Sequence, residues 1–213
     1  MVLGSEYLGP SLRIATVVVP VAIYFLVLGL LNSRQHPQLL SGRRDFALMI
    51  ASLCPLFMVP ALEFAGCSPL ALAAVAAVLG GAIAVLAPRG ANWVIYNLPS
   101  SQAKTAVAQT LQAMGLEFSR CEGGFDLARQ GAFVHLSGFS LLRNVSIRLG
   151  GGGEDLARRF EAELSRTLSG LSAETSPMAV ALLLVATAML VAPLTLVAHR
   201  VPEIVRILTD LLP

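Results

Sequence analysis

Three histidines are the first residues whose chemistry could give this chain a function. His36 lies in a polar connector, His135 lies within a short apolar stretch, and His199 follows the last long apolar run. No two of them are four residues apart and there is no HExxH motif, so the spacing is not that of a metal site. We keep His36 and His135 as candidate functional residues, interpret His135 as a solvated strand histidine, and expect no metal and no other cofactor.

Acidic residues in or beside apolar runs are the next candidates, because an ionisable group inside a membrane usually has a function. Glu63 lies at one end of the second apolar run and could accept a proton or a cation. A residue at the end of a span can also reach water at little cost. The chain has no GxSxG elbow and no paired-aspartate constellation, so we expect no catalytic residue and favour a protein that is not an enzyme.

The glycine run 150–153 lies where a phosphate-binding loop would lie, between a predicted strand and a predicted helix. It lacks the Gly-Lys-Ser/Thr ending of a Walker loop and does not match GxGxxG. Glu154 and Asp155 follow it directly, and their charges would repel an anion while they interact with the helix dipole. We interpret the run as a flexible turn.

The elements that would position these residues are set by the charge distribution. The chain is 55% hydrophobic and 13% charged, and its charges are clustered. Four stretches contain no Asp, Glu, Lys or Arg: 14–33, 46–62, 64–88 and 175–199. About 18 apolar residues suffice to cross a bilayer as a helix. The sequence therefore predicts a membrane α-helical protein with about four transmembrane helices and the lipid bilayer as its surroundings.

The predicted domains follow from these runs. Residues 1–88 hold spans 1 to 3, at about 12–31, 45–62 and 69–87. A small module covers 89–174, and 175–213 holds span 4, at about 177–198, followed by a C-terminal amphipathic helix. Residues 32–45 are expected to be a connector between the first two spans.

Arginines near the span ends predict the orientation. Arg34, Arg43 and Arg44 lie in the first connector and Arg89 opens the module, whereas the turn after span 2 has no basic residue. By the positive-inside rule the module is cytoplasmic and both termini are outside. Arginine-rich usage with a single lysine indicates a GC-rich, bacterial genome, so we expect a multi-pass protein of the cell (inner) membrane.

The module has a different periodicity from the spans. Aromatic and β-branched residues predict a strand at 91–98, and alternation predicts others. The expected elements are a helix at 99–115, a hairpin at 116–121 and 125–129, strands at 132–139 and 142–149, and an amphipathic helix at 154–171. The order β-α-β-β-β-β-α suggests an inserted α+β sandwich of ferredoxin-like type.

Span 3 carries small residues at every fourth position, a spacing that lets helices approach closely in lipid. The two rows form a candidate helix-packing face, either against the other spans, which we favour, or against another subunit: Ala73, Ala77 and Gly81, and Ala76, Gly80 and Ala84.

The charge balance of the module disfavours nucleic-acid binding. Nine basic and eight acidic residues are interspersed between Arg89 and Glu174, so no basic footprint for nucleic acid is expected. The leading hypothesis is a non-catalytic membrane subunit, scaffold or assembly factor whose module docks a partner protein, or that self-associates. The alternatives are a small oligomeric transport or channel protein and a membrane-bound enzyme that shares its site with a partner.

Overall fold

The structure is a computed structural model and describes residues 10–65, 68–139 and 143–198. Its long helices are α1 (Pro10–Ser33), α2 (Gly42–Ala65), α3 (Pro69–Leu86) and α6 (Pro177–Ala198). In each, a stretch of 18 to 20 residues is long and apolar enough to cross a membrane. The expected four long apolar helices are confirmed. The expected C-terminal amphipathic helix and His199 lie outside the described residues.

The ends of the long helices follow from local sequence. Helix α6 begins at Ser176-Pro177, and the Ser176 hydroxyl accepts a hydrogen bond from the Met178 amide at 3.3 Å. Serine at the N-cap and proline at the first helical position is the favoured combination for a helix start. Three of these helices contain internal prolines: Pro20 in α1, Pro55 and Pro60 in α2, and Pro193 in α6.

The remaining elements form one six-stranded sheet and two helices. The strands are β1 (Gln38–Ser41), β2 (Ala91–Tyr96), β3 (Ser119–Cys121), β4 (Gly124–Leu127), β5 (Ala132–Phe139) and β6 (Asn144–Gly150). Helix α4 (Ser100–Ala113) follows β2, and helix α5 (Gly153–Ser169) follows β6. The strand order is β1-β2-β6-β5-β4-β3, and every pair is antiparallel.

Strand β1 comes from the connector between the first two long helices, for which the sequence predicts no strand. It pairs with β2 so that Leu39 lies opposite Ile95 and Leu40 lies opposite Val94. Leu39 packs against the buried core of the sheet. The connector is therefore part of the sheet, and the module is built from two separate stretches of the chain.

The core lies between the sheet and the layer formed by α4 and α5. Alternate residues of β2, β4, β5 and β6 point into it, as do Leu156, Phe160, Leu164 and Leu168 of α5. Within it, the ring centroids of Trp93 and Phe160 lie 5.5 Å apart. The two helices are also joined through the hydroxyls of Thr110 and Thr167, which are 3.2 Å apart. The expected amphipathic stripe of α5 is thus the surface that holds the helix on the sheet.

The two-layer α+β arrangement agrees with the expectation, but the comparison with a ferredoxin-like fold needs correction. In that fold the second helix separates the last two strands, in the order β-α-β-β-α-β. Here β3 to β6 follow one another as an antiparallel meander, and α5 comes after all of them. The turn at 122–123 and the short link at 128–131 leave no room for a crossover helix.

The chain divides into two compact units. One contains Met1–Leu26, Leu48–Leu86 and Leu183–Pro213. The other contains Val27–Ala47 and Ala87–Leu182, which is the sheet with its two helices, the last turns of α1, and the first turns of α2 and α6. The second unit carries the contacts from which a site can be built.

Candidate functional site

Asn97 is the centre of the contacts that fasten the connector to the sheet. Its backbone N–H donates to Oδ1 of Asn32 at 3.2 Å, and its side-chain Nδ2 donates to the Arg34 carbonyl oxygen at 2.8 Å. Asn32 in turn donates to the Leu28 carbonyl within α1 at 2.9 Å. Asn97 is completely buried and Asn32 is 1% exposed. The last turn of α1 is therefore linked to the end of β2 by hydrogen bonds that exclude water.

The local chain geometry explains why an asparagine stands at position 97. Its φ is +60°, in the left-handed region that asparagine tolerates better than most residues. Arg143, on the neighbouring strand end, also has a positive φ of 49°, and its carbonyl oxygen accepts the Leu98 N–H at 2.8 Å. The two unusual residues lie side by side and end the β2–β6 pairing.

A second contact links the first turn of α2 to the sheet. The hydroxyl of Tyr96 donates a short hydrogen bond to Oδ1 of Asp45. At the other end of β1, Gly42 lies so close to Asn92 that an added Cβ would stand 3.0 Å from the Asn92 Cβ. A glycine at the start of α2 therefore lets that helix begin directly against the strand.

A third set of contacts links the connector to the segment that leads into α6. His36 Nδ1 lies 2.9 Å from the Leu171 carbonyl oxygen, to which it donates in the tautomer protonated at Nδ1. The Ala173 N–H donates to the Gln35 carbonyl oxygen at 2.7 Å. We call these three sets of contacts, made by Asn32, His36, Asp45, Tyr96 and Asn97, the attachment site.

The glycine run borders an open cavity of about 700 Å³. Gly151, Gly152 and Gly153 all have φ between 74° and 78°, and a Cβ on Gly151 would stand 2.2 Å from the Gly131 carbonyl oxygen. The run is therefore a close-fitting turn and not a loose one. Charged residues of both signs line the cavity with it: Arg43, Glu154, Arg158 and Glu161. Arg158 already forms an ion pair with Asp155, so the cavity offers no concentrated charge of one sign.

The side of the sheet turned away from α4 and α5 is only partly covered. Over β5 and β6 its side chains are exposed, and we call this surface the open face: Phe133, His135, Ser137, Phe139, Ser146 and Arg148. Phe133 is 52% exposed and Phe139 is 58% exposed. His135, a predicted candidate residue, lies opposite Arg148 in this face, and its ring packs beside Gly123.

The other predicted candidates belong to the other compact unit. The six small residues of α3 are all exposed, α3 has no buried residue among those described, and a Cβ at Gly80 or Gly81 would meet nothing within 4 Å. Glu63 lies in the last turn of α2, and its side chain is outside what the structure describes. Of the three ionisable candidates Glu63, His36 and His135, the two histidines are in the sheet unit, on different surfaces.

The described residues contain no group of three or more His, Cys, Asp or Glu side chains that could hold a metal ion. Cys54 and Cys121 are free thiols. Buried acceptors without a donor in the described part of the chain include Oδ1 of Asn97 and Oδ1 of Asn144. The described part of the sheet unit thus offers fixed hydrogen bonds and exposed surfaces.

The attachment residues Asn32, Tyr96 and Asn97 were not singled out by the sequence patterns. A signal was present at Asn97, because Asn-Leu-Pro after an apolar strand is typical of a turn. Its partner at position 32 could not be inferred, since a contact across about 65 positions leaves no local pattern. No protein-family model matches the chain, and no curated protein or solved structure is significantly similar to it.

Proposed function

We propose that this chain is a non-catalytic integral membrane subunit, scaffold or assembly factor whose sheet module docks a partner protein. One observation carries the proposal: the attachment site joins the module by hydrogen bonds to the last turn of α1, the first turn of α2 and the segment before α6, and the bond to Asn32 of α1 is buried. A module held at several points keeps its orientation relative to the ends of these helices, which is the property a docking platform needs.

The layer formed by α4 and α5 is the surface that best suits a protein partner. It lies on the side of the sheet opposite Tyr96 and Asp45, so it faces away from the start of α2. Its exposed residues carry both charges, including an Arg166–Glu163 pair at 3.0 Å and Arg159, which is in none of the ion pairs found among the described residues. Mixed charge around a well-packed helix pair supports a polar, specific interface more than a non-specific one.

The test is co-purification from the native membrane in mild detergent. We expect a defined partner to migrate with the wild-type chain and to be lost from Arg159→Glu on α5. Arg120→Glu makes the same charge change on an exposed residue of the edge strand β3, outside α4 and α5, and should retain the partner. A solitary wild-type species, or equal loss from both variants, would contradict the proposal.

The proposed cytoplasmic location of the module in a bacterial inner membrane has its own test. Cys121 is exposed on β3 and gives a natural labelling site. In a chain whose other two cysteines are replaced, a membrane-impermeant maleimide should label Cys121 in inverted vesicles and leave it unlabelled in intact spheroplasts. Labelling in intact spheroplasts would contradict this orientation, because it would place the module outside the cytoplasm and both termini inside it.

The exposed face of α3 supports a second candidate, a small transport or channel protein that conducts only as an oligomer. Its two rows of small residues are exposed, and Pro55 and Pro60 lie within the preceding helix α2. Crosslinking through Cys54 in native membranes should then give defined oligomers. A chain that remains monomeric would remove this candidate and leave the scaffold proposal standing.

A further inference from the structure

The open face lies on the side of the sheet that holds the first turn of α2. Side chains alternate along a strand, so Tyr96 points to the side opposite its neighbour Ile95, which faces α4 and α5. Tyr96 contacts Asp45 in the first turn of α2. That turn therefore stands on the same side of the sheet as the open face, and α4 and α5 form the opposite layer.

On this side of the sheet, burial changes from β2 to β6. Tyr96 is 2% exposed and Val94 is 8% exposed on β2, near the start of α2. Ser146 lies directly opposite Val94 and is exposed, and Ser137 on β5 lies opposite Ser146 and is also exposed. The open face thus continues the surface on which a candidate membrane span begins, and the described chain leaves that continuation uncovered.

The side chains of the open face have the arrangement of an interfacial membrane contact. Phe133 and Phe139 stand at its two ends, six residues or about 20 Å apart along β5. Arg148 and His135 form a cross-strand pair between them, and Ser137 and Ser146 form the next pair. Aromatic side chains insert at the headgroup boundary, and basic side chains beside them attract anionic lipids. Asp126, opposite Phe133 on β4, is the acidic residue at its rim.

Two observations favour this membrane contact over an incidental exposure of the two phenylalanines. The Phe133 ring lies across Gly150, where a Cβ would stand 2.2 Å from it, so the ring is held on the surface by the sheet itself. Arg148 forms none of the ion pairs found among the described residues. A lipid headgroup layer can contact both groups at once, because the Phe133 ring and the Arg148 guanidinium lie on the same face of the sheet.

We propose that the open face rests on the headgroup layer of an anionic bilayer, with Phe133 and Phe139 inserted and Arg148 and His135 contacting lipid phosphates. This inference rests on the membrane-embedded character of the chain. It goes beyond partner docking, which we assign to the opposite layer. In this arrangement the module lies flat on the membrane and presents α4 and α5 to its partner.

The test places an environment-sensitive fluorophore at the centre of the open face. Ser137→Cys is made in a chain without its native cysteines and labelled, and Ala162→Cys on the exposed side of α5 is the matched control. Each full-length protein is placed at one copy per nanodisc, with phosphatidylglycerol and a lipid that carries a quencher on its headgroup. Ser146→Cys is a second probe of the same face, and the emission of the buried Trp93 reports that each variant is folded.

We expect lipid quenching at position 137 to exceed that at 162 by at least threefold, and Phe139→Ser to remove most of that difference. Arg148→Glu, or zwitterionic lipid, should reduce it about twofold. Equal quenching at 137 and 162 would overturn the proposal. A chain that does not enter nanodiscs would instead contradict its membrane-embedded character, which separates the two failures.

Discussion

Asn97 illustrates how a single residue can connect two parts of the chain. Its backbone takes a left-handed conformation that ends β2, and this conformation aims its N–H and its side-chain amide at Asn32 and Arg34. A buried donor that loses its partner costs about 1–3 kcal/mol, and a non-glycine residue without a polar side chain costs about 1–2 kcal/mol in this conformation. The two effects can be separated by substitution.

We predict that Asn97→Gly lowers stability by about 1–2 kcal/mol, because glycine keeps the positive φ and loses only the side-chain hydrogen bond. Asn97→Ala should cost about 1 kcal/mol more, because it loses the bond and strains the backbone. Thermal unfolding of the purified chain, followed by the emission of its single tryptophan, Trp93, measures both. An alanine variant as stable as the glycine variant would contradict the proposed role of the backbone conformation.

Gly124 and Gly131 offer a second comparison at single positions. A Cβ on Gly124 would stand 1.9 Å from the Val134 carbonyl oxygen, whereas Gly131 has φ +57° and open space around its Cβ position. Gly124→Ala should therefore separate β4 from β5 and cost about 3 kcal/mol or more, and Gly131→Ala only about 1 kcal/mol. The same thermal measurement applies. Equal losses would contradict the close approach of β4 to β5 at Gly124.

At the scale of elements, the helices and most strands could be predicted from sequence, because their patterns are local. The strand at 132–139 and the long apolar helices are found close to where periodicity and charge gaps predict them. Strand β1 could not be predicted. Its four residues, Gln-Leu-Leu-Ser, have no alternation of their own, and they are extended because β2 pairs with them across more than fifty positions. The attachment site was missed for the same reason.

Helix α5 gives the clearest prediction at this scale. Leu164 is completely buried against the sheet, and its neighbour Ser165 is exposed. Leu164→Ala should lower stability by about 2–5 kcal/mol, because it removes apolar contacts and leaves a cavity. Ser165→Ala, one position along the same helix, should change it by less than about 0.5 kcal/mol. Similar effects of the two variants would mean that α5 does not pack on the sheet through its apolar stripe.

At the scale of the whole molecule, the sheet cannot be completed by the inserted segment alone. A fragment covering 87–176 contains β2 to β6 and both packing helices, but it lacks β1 and the residues of α1 and the connector that bind Asn97. We predict that this fragment unfolds at a lower temperature than the module in the full chain. A version with residues 34–41 joined by a flexible linker should unfold at a higher temperature than the fragment. The same version carrying Leu39→Ser should not. A fragment as stable as the full-length module would show that β1 adds nothing.

The central feature of the structure is that the connector forms strand β1 of the module. This strand brings the span ends and the sheet into one unit. Leu40 and Val94 lie directly opposite each other in β1 and β2, within the range that a disulfide can bridge. The measurement is disulfide formation between Leu40→Cys and Val94→Cys in native membranes, in a chain without its natural cysteines. We predict rapid, near-complete crosslinking of this pair and little crosslinking of Leu40→Cys with Ile95→Cys, whose side chain points to the other face. Failure of the first pair to crosslink, or equal crosslinking of both, would contradict the account.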